Sequence, residues 1–342
     1  MSKHRVTLKD IAAQLGVTPT TVSKALKDYP DIGKETKQKV KELAKALNYQ
    51  PDSHALALKN KKTNTVGVII PEIAHFFFAK VIKGMMSHLE ENGYRLLITL
   101  SGENTEQEIK QVNLLFNNKV DGLLVSLANE TQNTDHFKQF TDYSIPLVMF
   151  DKVDEWFPCK KVLIHDKKGA FTATNHLIER GCKRIAHIRG PKYPLNAIQR
   201  HEGYMNALAT ANMDYNPDLV KQCEAVTFEE GYAFTKELLT MDQPPDGIFA
   251  VTDQVAVGAL QAAKDLNVEV PEALKIVGFS DSQVGQIVKP ALTTIHQPGY
   301  EIGATAAQLL IEEIELKSKG AEHITESTQI ILDTYLIQRE ST

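Results

Sequence analysis

The chain has 342 residues, 42% of them hydrophobic, three cysteines and a formal net charge of -5. No apolar run approaches the roughly 18 residues of a membrane span, and the N-terminus has no apolar stretch of signal-peptide length, so membrane-spanning and exported classes are excluded and a cytoplasmic protein is expected. The charge is divided unevenly: residues 1–62 hold 13 Lys and Arg against 6 Asp and Glu, whereas the remaining 280 hold 25 against 37, which makes a basic head on an acidic body.

Val6 to Lys27, VTLKDIAAQLGVTPTTVSKALK, reads as two short helices around a Gly turn. Leu8, Ile11, Ala12 and Leu15 recur at helical spacing, so one face of the first helix is apolar. Gly16 ends it, because glycine accepts the left-handed conformation that a helix C-terminus commonly needs. Thr18 is placed to cap the second helix, with Pro19 at its first position, where a missing N–H costs nothing. Val22, Ala25 and Leu26 then face inward and leave Pro19, Thr20, Ser23, Lys24 and Lys27 toward solvent. Such a face suits the recognition helix of a helix-turn-helix in the DNA major groove, and an ordinary helical hairpin with a charged wet face shares the same periodicity. A third helix over Ile32–Leu47 adds Val40, Leu43, Ala44 and Leu47 to the small core and exposes Lys34, Lys37, Lys39, Lys41 and Lys45, as a phosphate-facing surface requires.

VTLKDIAAQLGVTPTTVSKAL, followed by ETKQKVKELAKALNYQP and TNTVGVIIP, resembles the LacI/GalR family of bacterial transcription regulators in order and spacing. The resemblance implies a small all-α helix-turn-helix head over residues 1–50, with Pro19, Thr20 and Lys24 reading bases and Thr7, Thr18, Ser23 and Tyr49 completing the DNA contacts. Most relatives carry Arg in place of Lys24, and lysine lacks the bidentate fork that arginine offers guanine, so base discrimination is weaker there. By its residues alone, 51–63 reads as a basic linker too short to hold a stable helix. The resemblance makes it a hinge helix that folds on the operator, with Ala55 and Leu58 at the minor groove and Leu58 wedged between base pairs. Leu56 stands where relatives usually have Arg.

Beyond residue 64, apolar runs alternate with amphipathic stretches: TVGVII, a helix over Phe77–Asn92, YRLLIT, a helix over Glu106–Asn117, GLLVSL and PLVMF. The rhythm repeats after Lys160 with RIAHI, GIFAV and KIVGF. Short, continuously hydrophobic strands belong to parallel sheets covered on both faces, and two rounds of alternation predict two doubly wound α/β subdomains. GCKRIAHIRGP, RHEGYMNAL, IFAVTDQVAVGAL, VGFSD and PALTTIHQP extend the resemblance over this region, and through it to periplasmic sugar-binding proteins. It implies an effector-binding and dimerisation core over 64–342, with an N-subdomain at about 64–164 and 295–322 and a C-subdomain at about 165–294 and 323–342. Ligands in such folds sit at strand C-terminal ends. The resemblance puts Phe77, Phe78, Asp151, Arg200, Asp253 and Ser280 around an interlobe cleft, although Phe77 and Phe78 also fit a core helix face and Arg200 a surface ion pair. Two departures concern the ligand. Ser280 stands where many sugar-responsive relatives have Asp, with Asp281 one place later, and Val226 stands where an aromatic platform is common.

Catalysis finds no support. The dinucleotide, P-loop and nucleophile-elbow motifs are missing, and His165 with Asp166, and His201 with Glu202, are adjacent pairs whose members point apart and suit surface roles. Cys159, Cys182 and Cys223 are too scattered for a zinc site or a disulfide framework and read as reduced thiols. No metal and no cofactor is implied. The reading is a non-enzymatic repressor of the cytoplasm and nucleoid, binding double-stranded operator DNA as a homodimer and switched by a small-molecule effector, a sugar or sugar derivative. Dimerisation is assigned to the Val81–Leu89 and Ala304–Ile311 faces, and the lack of leucine heptads before Thr342 points to a dimer instead of a tail-assembled tetramer. A periplasmic solute-binding protein shares the two-lobed core but needs export and no head; a regulator answering to a protein corepressor differs only in its ligand.

Overall fold

The computed structural model describes residues 6–49, 62–73, 76–319 and 328–342. The chain divides into two compact units, Met1–Thr63 and Asn64–Thr342. In the smaller unit α1 (Leu8–Leu15), α2 (Pro19–Leu26) and α3 (Lys34–Ala46) surround one core of Ile11, Ala12, Val22, Ala25, Val40 and Ala44, with Leu8, Leu15, Leu26, Leu43, Leu47 and Tyr49 on its margin. Local chemistry sets the ends. Asp10 Oδ2 accepts the Thr7 N–H at 2.8 Å while the Thr7 hydroxyl accepts the Asp10 N–H at 3.4 Å, a reciprocal cap of α1. Gly16 closes that helix at φ 64°, and the Thr18 hydroxyl accepts the Thr21 N–H at 3.2 Å to start α2. The third helix begins at Lys34, two residues after the expected Ile32, because Gly33 occupies its N-cap.

The larger unit holds two six-stranded sheets. The first contains β1 (Thr65–Ile70), β2 (Arg95–Leu100), β3 (Gly122–Val125), β4 (Leu147–Phe150), β5 (Lys160–Ile164) and β11 (Gln329–Leu332), in the order β11-β5-β4-β3-β1-β2, all parallel. The second contains β6 (Ile185–Arg189), β7 (Val220–Gln222), β8 (Gly247–Ala250), β9 (Lys275–Ser280), β10 (Thr293–His296) and β12 (Tyr335–Ile337), in the order β12-β10-β9-β8-β6-β7, parallel except for β12. Every residue of β3, β4 and β8 is buried, which is why those stretches are continuously apolar.

Two expectations require correction. Residues 329–332 pair with β5 in the first sheet, not with the second subdomain, and β10 lies wholly in the second sheet, so the crossover follows His296. The Val81–Leu89 and Ala304–Ile311 faces do not wait for a partner. They lie on α4 (Phe76–Glu91) and α12 (Gly299–Ser318), which pack on each other within one chain and bury Val81, Met85, Leu89, Ala306, Ala307 and Leu310. Their backbones nearly touch: a Cβ added to Gly84 would lie 2.0 Å from the Tyr300 carbonyl oxygen, and one added to Gly303 1.9 Å from that of Val81. The three cysteines are free and buried. Among the described residues no helix is long and apolar enough to cross a membrane, and no cluster of His, Cys, Asp and Glu is arranged to hold a metal.

Candidate functional site

Thr7, Thr18, Pro19 and Thr20 are exposed on the smaller unit, Ser23 and Lys24 partly so, and Tyr49 is half-buried against the helical core. Thr7 and Thr18 already spend their hydroxyls on helix caps. Lys24 is engaged too: its ammonium lies 2.5 Å from Asp31 Oδ2, and that hydrogen bond raises the lysine pKa and lowers the aspartate's. Ala55, Leu58 and the hinge segment lie outside the described residues.

In the larger unit a cavity of about 370 Å³ opens between the two lobes. Phe77, Phe78, Asp151, Arg200, Asp253 and Ser280 all line it. Phe78 is also core, only 5% exposed, whereas Phe77 is partly buried and Phe76 exposed at the same wall.

Arg200 lies on α8 (Leu195–Thr210) and is 4% exposed, so its ion pair is not a surface one. Its Nε donates to Asp166 Oδ1 at 2.7 Å, its Nη1 donates to the Val251 carbonyl at 2.9 Å, and its guanidinium stacks 3.7 Å above the Phe279 ring. Asp166 is accordingly buried, against the expectation of a surface role. Burial pushes its carboxyl up to about 6 even though Arg200 pulls the other way.

Asp151 follows β4 at φ 59° and receives only long hydrogen bonds, from Asn196 Nδ2 at 3.3 Å, Gln297 Nε2 at 3.4 Å and the Ser126 hydroxyl at 3.5 Å. Burial raises its pKa. Asp253 opens α10 (Asp253–Asp265) and is committed locally: its carboxylate accepts the Ser282 N–H at 2.6 Å and the Thr294 hydroxyl at 2.5 Å, so it anchors the loop that carries Ser280. Asp281 does not replace a ligand-binding carboxylate. Burial opposes its ionisation, but hydrogen bonds from Arg339 at 2.5 Å and His296 at 3.1 Å hold its carboxyl below the usual range.

The cavity also presents Glu103, Asn129, Lys152, Asn196, Phe228 and Gln297, which sequence reasoning missed. Asn196 sits one turn before Arg200 on the same helix, a spacing that marks it. The aromatic ring absent at Val226 is supplied two residues later by Phe228, at the start of α9 (Phe228–Leu239), where the Thr227–Glu230 capping box announces the helix. Lys152 donates to Glu103 Oε1 at 2.6 Å, to Glu103 Oε2 at 2.7 Å and to Asn129 Oδ1 at 2.9 Å. No spacing rule marks Glu103, which reaches Lys152 from a backbone at φ 59°.

Residues 7–52 match the family described as bacterial regulatory proteins, lacI family, and residues 174–342 match the periplasmic binding protein-like domain. The chain is 34% identical to the ribose operon repressor of Halalkalibacterium halodurans, covering 98% of this chain and 97% of the repressor. It is 31% identical to catabolite control protein A of Priestia megaterium, over 89% of this chain and 91% of that protein. Among solved structures, the complex of the transcriptional regulator CelR with cellobiose is similar at a TM-score of 0.73 and 29% identity, with 99% of this chain and 100% of that one covered.

Proposed function

The chain belongs to the lacI family of bacterial regulatory proteins, and from that membership we propose a homodimeric repressor whose operator affinity is switched by a sugar or sugar derivative in the interlobe cleft. Thr7, Thr18, Pro19, Thr20, Ser23, Lys24 and Tyr49 face the operator, Ala55 and Leu58 enter its minor groove, and the protein works in the cytoplasm on the nucleoid. Phe77, Phe78, Asp151, Arg200, Asp253 and Ser280 form the effector site, Asp253 by holding the Ser280 loop. One observation carries this reading: Asp151 from the first lobe and Arg200 with Asn196 from the second line a single cavity of about 370 Å³. That is within the roughly 300–1,000 Å³ of small-molecule sites, so one ligand touches both lobes. A ligand that binds one lobe arrangement better than another shifts the equilibrium between them, and only by that difference.

The test is selection of genomic fragments by the purified protein, followed by mobility shifts with a sugar panel that includes ribose and cellobiose. A specific fragment and a sugar that changes its retention, without being consumed, are expected. Retention of all fragments alike would refute sequence-specific regulation.

A further inference from the structure

Among the described residues lining the cleft, the charged side chains are Glu103, Asp151, Lys152, Arg200 and Asp253, and each of the two cations is already paired with a carboxylate. The Arg200 charge faces Asp166 at 2.7 Å. The Lys152 side chain is 9% exposed, and its ammonium donates to both Glu103 oxygens and to Asn129 Oδ1. Glu103 is fixed in turn: its Oε2 accepts the Asn129 N–H at 2.8 Å, and two successive left-handed residues, Gly102 at φ 60° and Glu103 at φ 59°, carry it there. What the cleft offers unmatched is the Asp151 carboxylate, an acceptor with only long hydrogen bonds and no cation within ion-pair distance among the described residues.

Resting on the effector reading of the cleft, we propose that Glu103 sets the charge class of the ligand: by occupying Lys152 it restricts the site to uncharged, hydroxyl- or N–H-bearing molecules and bars phosphorylated or carboxylated ones. A neutral polyol donates to Asp151 and lays its apolar face on Phe77 or Phe228, which line the cavity from the two lobes. An anion meets Asp151 with no cation that is not already paired to a carboxylate, and to reach Lys152 it would have to displace Glu103 from a partly buried pair.

The test uses the full chain and inorganic phosphate as the probe, because phosphate carries no stereochemistry to mismatch. Three proteins are compared: wild type, Glu103→Gln, which frees Lys152, and the double variant Glu103→Gln/Lys152→Met, which removes both charges. Phosphate bound by the basic head contributes equally to all three. Wild type and the double variant are expected to share the same phosphate dependence of Tm, and Glu103→Gln to gain a further rise of about 2–4 °C at phosphate well above its Kd, growing with the logarithm of phosphate concentration. A larger phosphate response in wild type than in the double variant overturns the proposal without reference to the single variant, so a misfolded Glu103→Gln does not rescue it. A folded Glu103→Gln without the gain overturns it as well. The effector reading is scored separately by the mobility shift with the sugar panel: a gain in Tm for Glu103→Gln while no sugar changes operator retention of wild type sinks the effector role and leaves the charge filter standing.

Discussion

A side chain that already has a partner must exchange it before it can bind anything else. Lys24 holds Asp31 in an exposed pair, so in the proposed DNA-binding role it must trade one oxyanion for another. Asp31→Asn removes both the competitor and a charge that repels phosphate. Operator Kd is expected to tighten by about 3-fold at low salt, with the advantage shrinking as salt rises, in a mobility-shift titration; an unchanged Kd would mean that the pair does not compete with DNA. His187 poses the same question inside the second lobe. It is fully buried, its Nδ1 lies 2.9 Å from the Phe249 carbonyl, and its ring stacks 4.7 Å from Phe249 and 5.0 Å from Tyr204. Burial pushes its pKa down to about 3. The unfolded chain takes up this proton near pH 6.5 and the folded one does not, so its contribution is complete above 6.5 and is lost as pH falls toward 3. Asp166, raised to about 6, titrates with the opposite sign, so a variant isolates the histidine better than the raw profile does. His187→Phe keeps the stack and should lessen the loss of unfolding free energy between pH 6.5 and 5 by about 2 kcal/mol, as read by urea titration at each pH. Equal losses in both proteins would exclude His187 as the cause.

At the level of elements, the contact of α4 with α12 is set by two glycines whose missing Cβ atoms let carbonyl oxygens approach. The opposing atoms are backbone, which cannot swing aside as a side chain can. Gly84→Ala and Gly303→Ala are each expected to cost about 2–3 kcal/mol in chemical denaturation, the range of overpacked cores. A loss below about 0.5 kcal/mol, typical of a surface change, would show that the helices separate freely. This contact also explains what was legible in the sequence. The apolar faces of Val81–Leu89 and Ala304–Ile311 were visible from their spacing, but periodicity says only that a face is covered, not by whose helix. The helix start at Thr18 was read from the sequence because capping is chemistry over three or four residues, and the same signal stood unread at Thr7 and Thr227. The sheet that β11 joins depends on pairing Gln329 with Lys161, far away in the chain, and nothing local encodes it. The cleft divides in the same way: Arg200 and Asp151 were legible within blocks of family-like sequence, whereas Glu103 and Lys152 meet only after two loops fold.

On the scale of the whole molecule, sensing and DNA binding belong to separate compact units, so a change in the cleft can remove the response and leave the head intact. Arg200→Ala is the direct trial, but its meaning is clouded by Asp166, which would be left buried and unpaired. Removing one member of a buried pair costs roughly 3–5 kcal/mol, enough to lose the response through instability alone. Arg200→Ala/Asp166→Asn removes both charges and should recover most of that loss in Tm. If Arg200 touches the effector, the double variant is stable, retains operator DNA within about 2-fold of wild type without effector, and answers only at higher effector concentrations. Moving a two-state equilibrium from 1:99 to 99:1 takes about 5.5 kcal/mol of differential affinity, so losing one charge-assisted contact of about 1.5–3 kcal/mol is expected to weaken the switch by at least 10-fold in effector concentration. A double variant that is stable and switches at the wild-type concentration would instead confine Arg200 to holding Asp166 and the Val251 carbonyl.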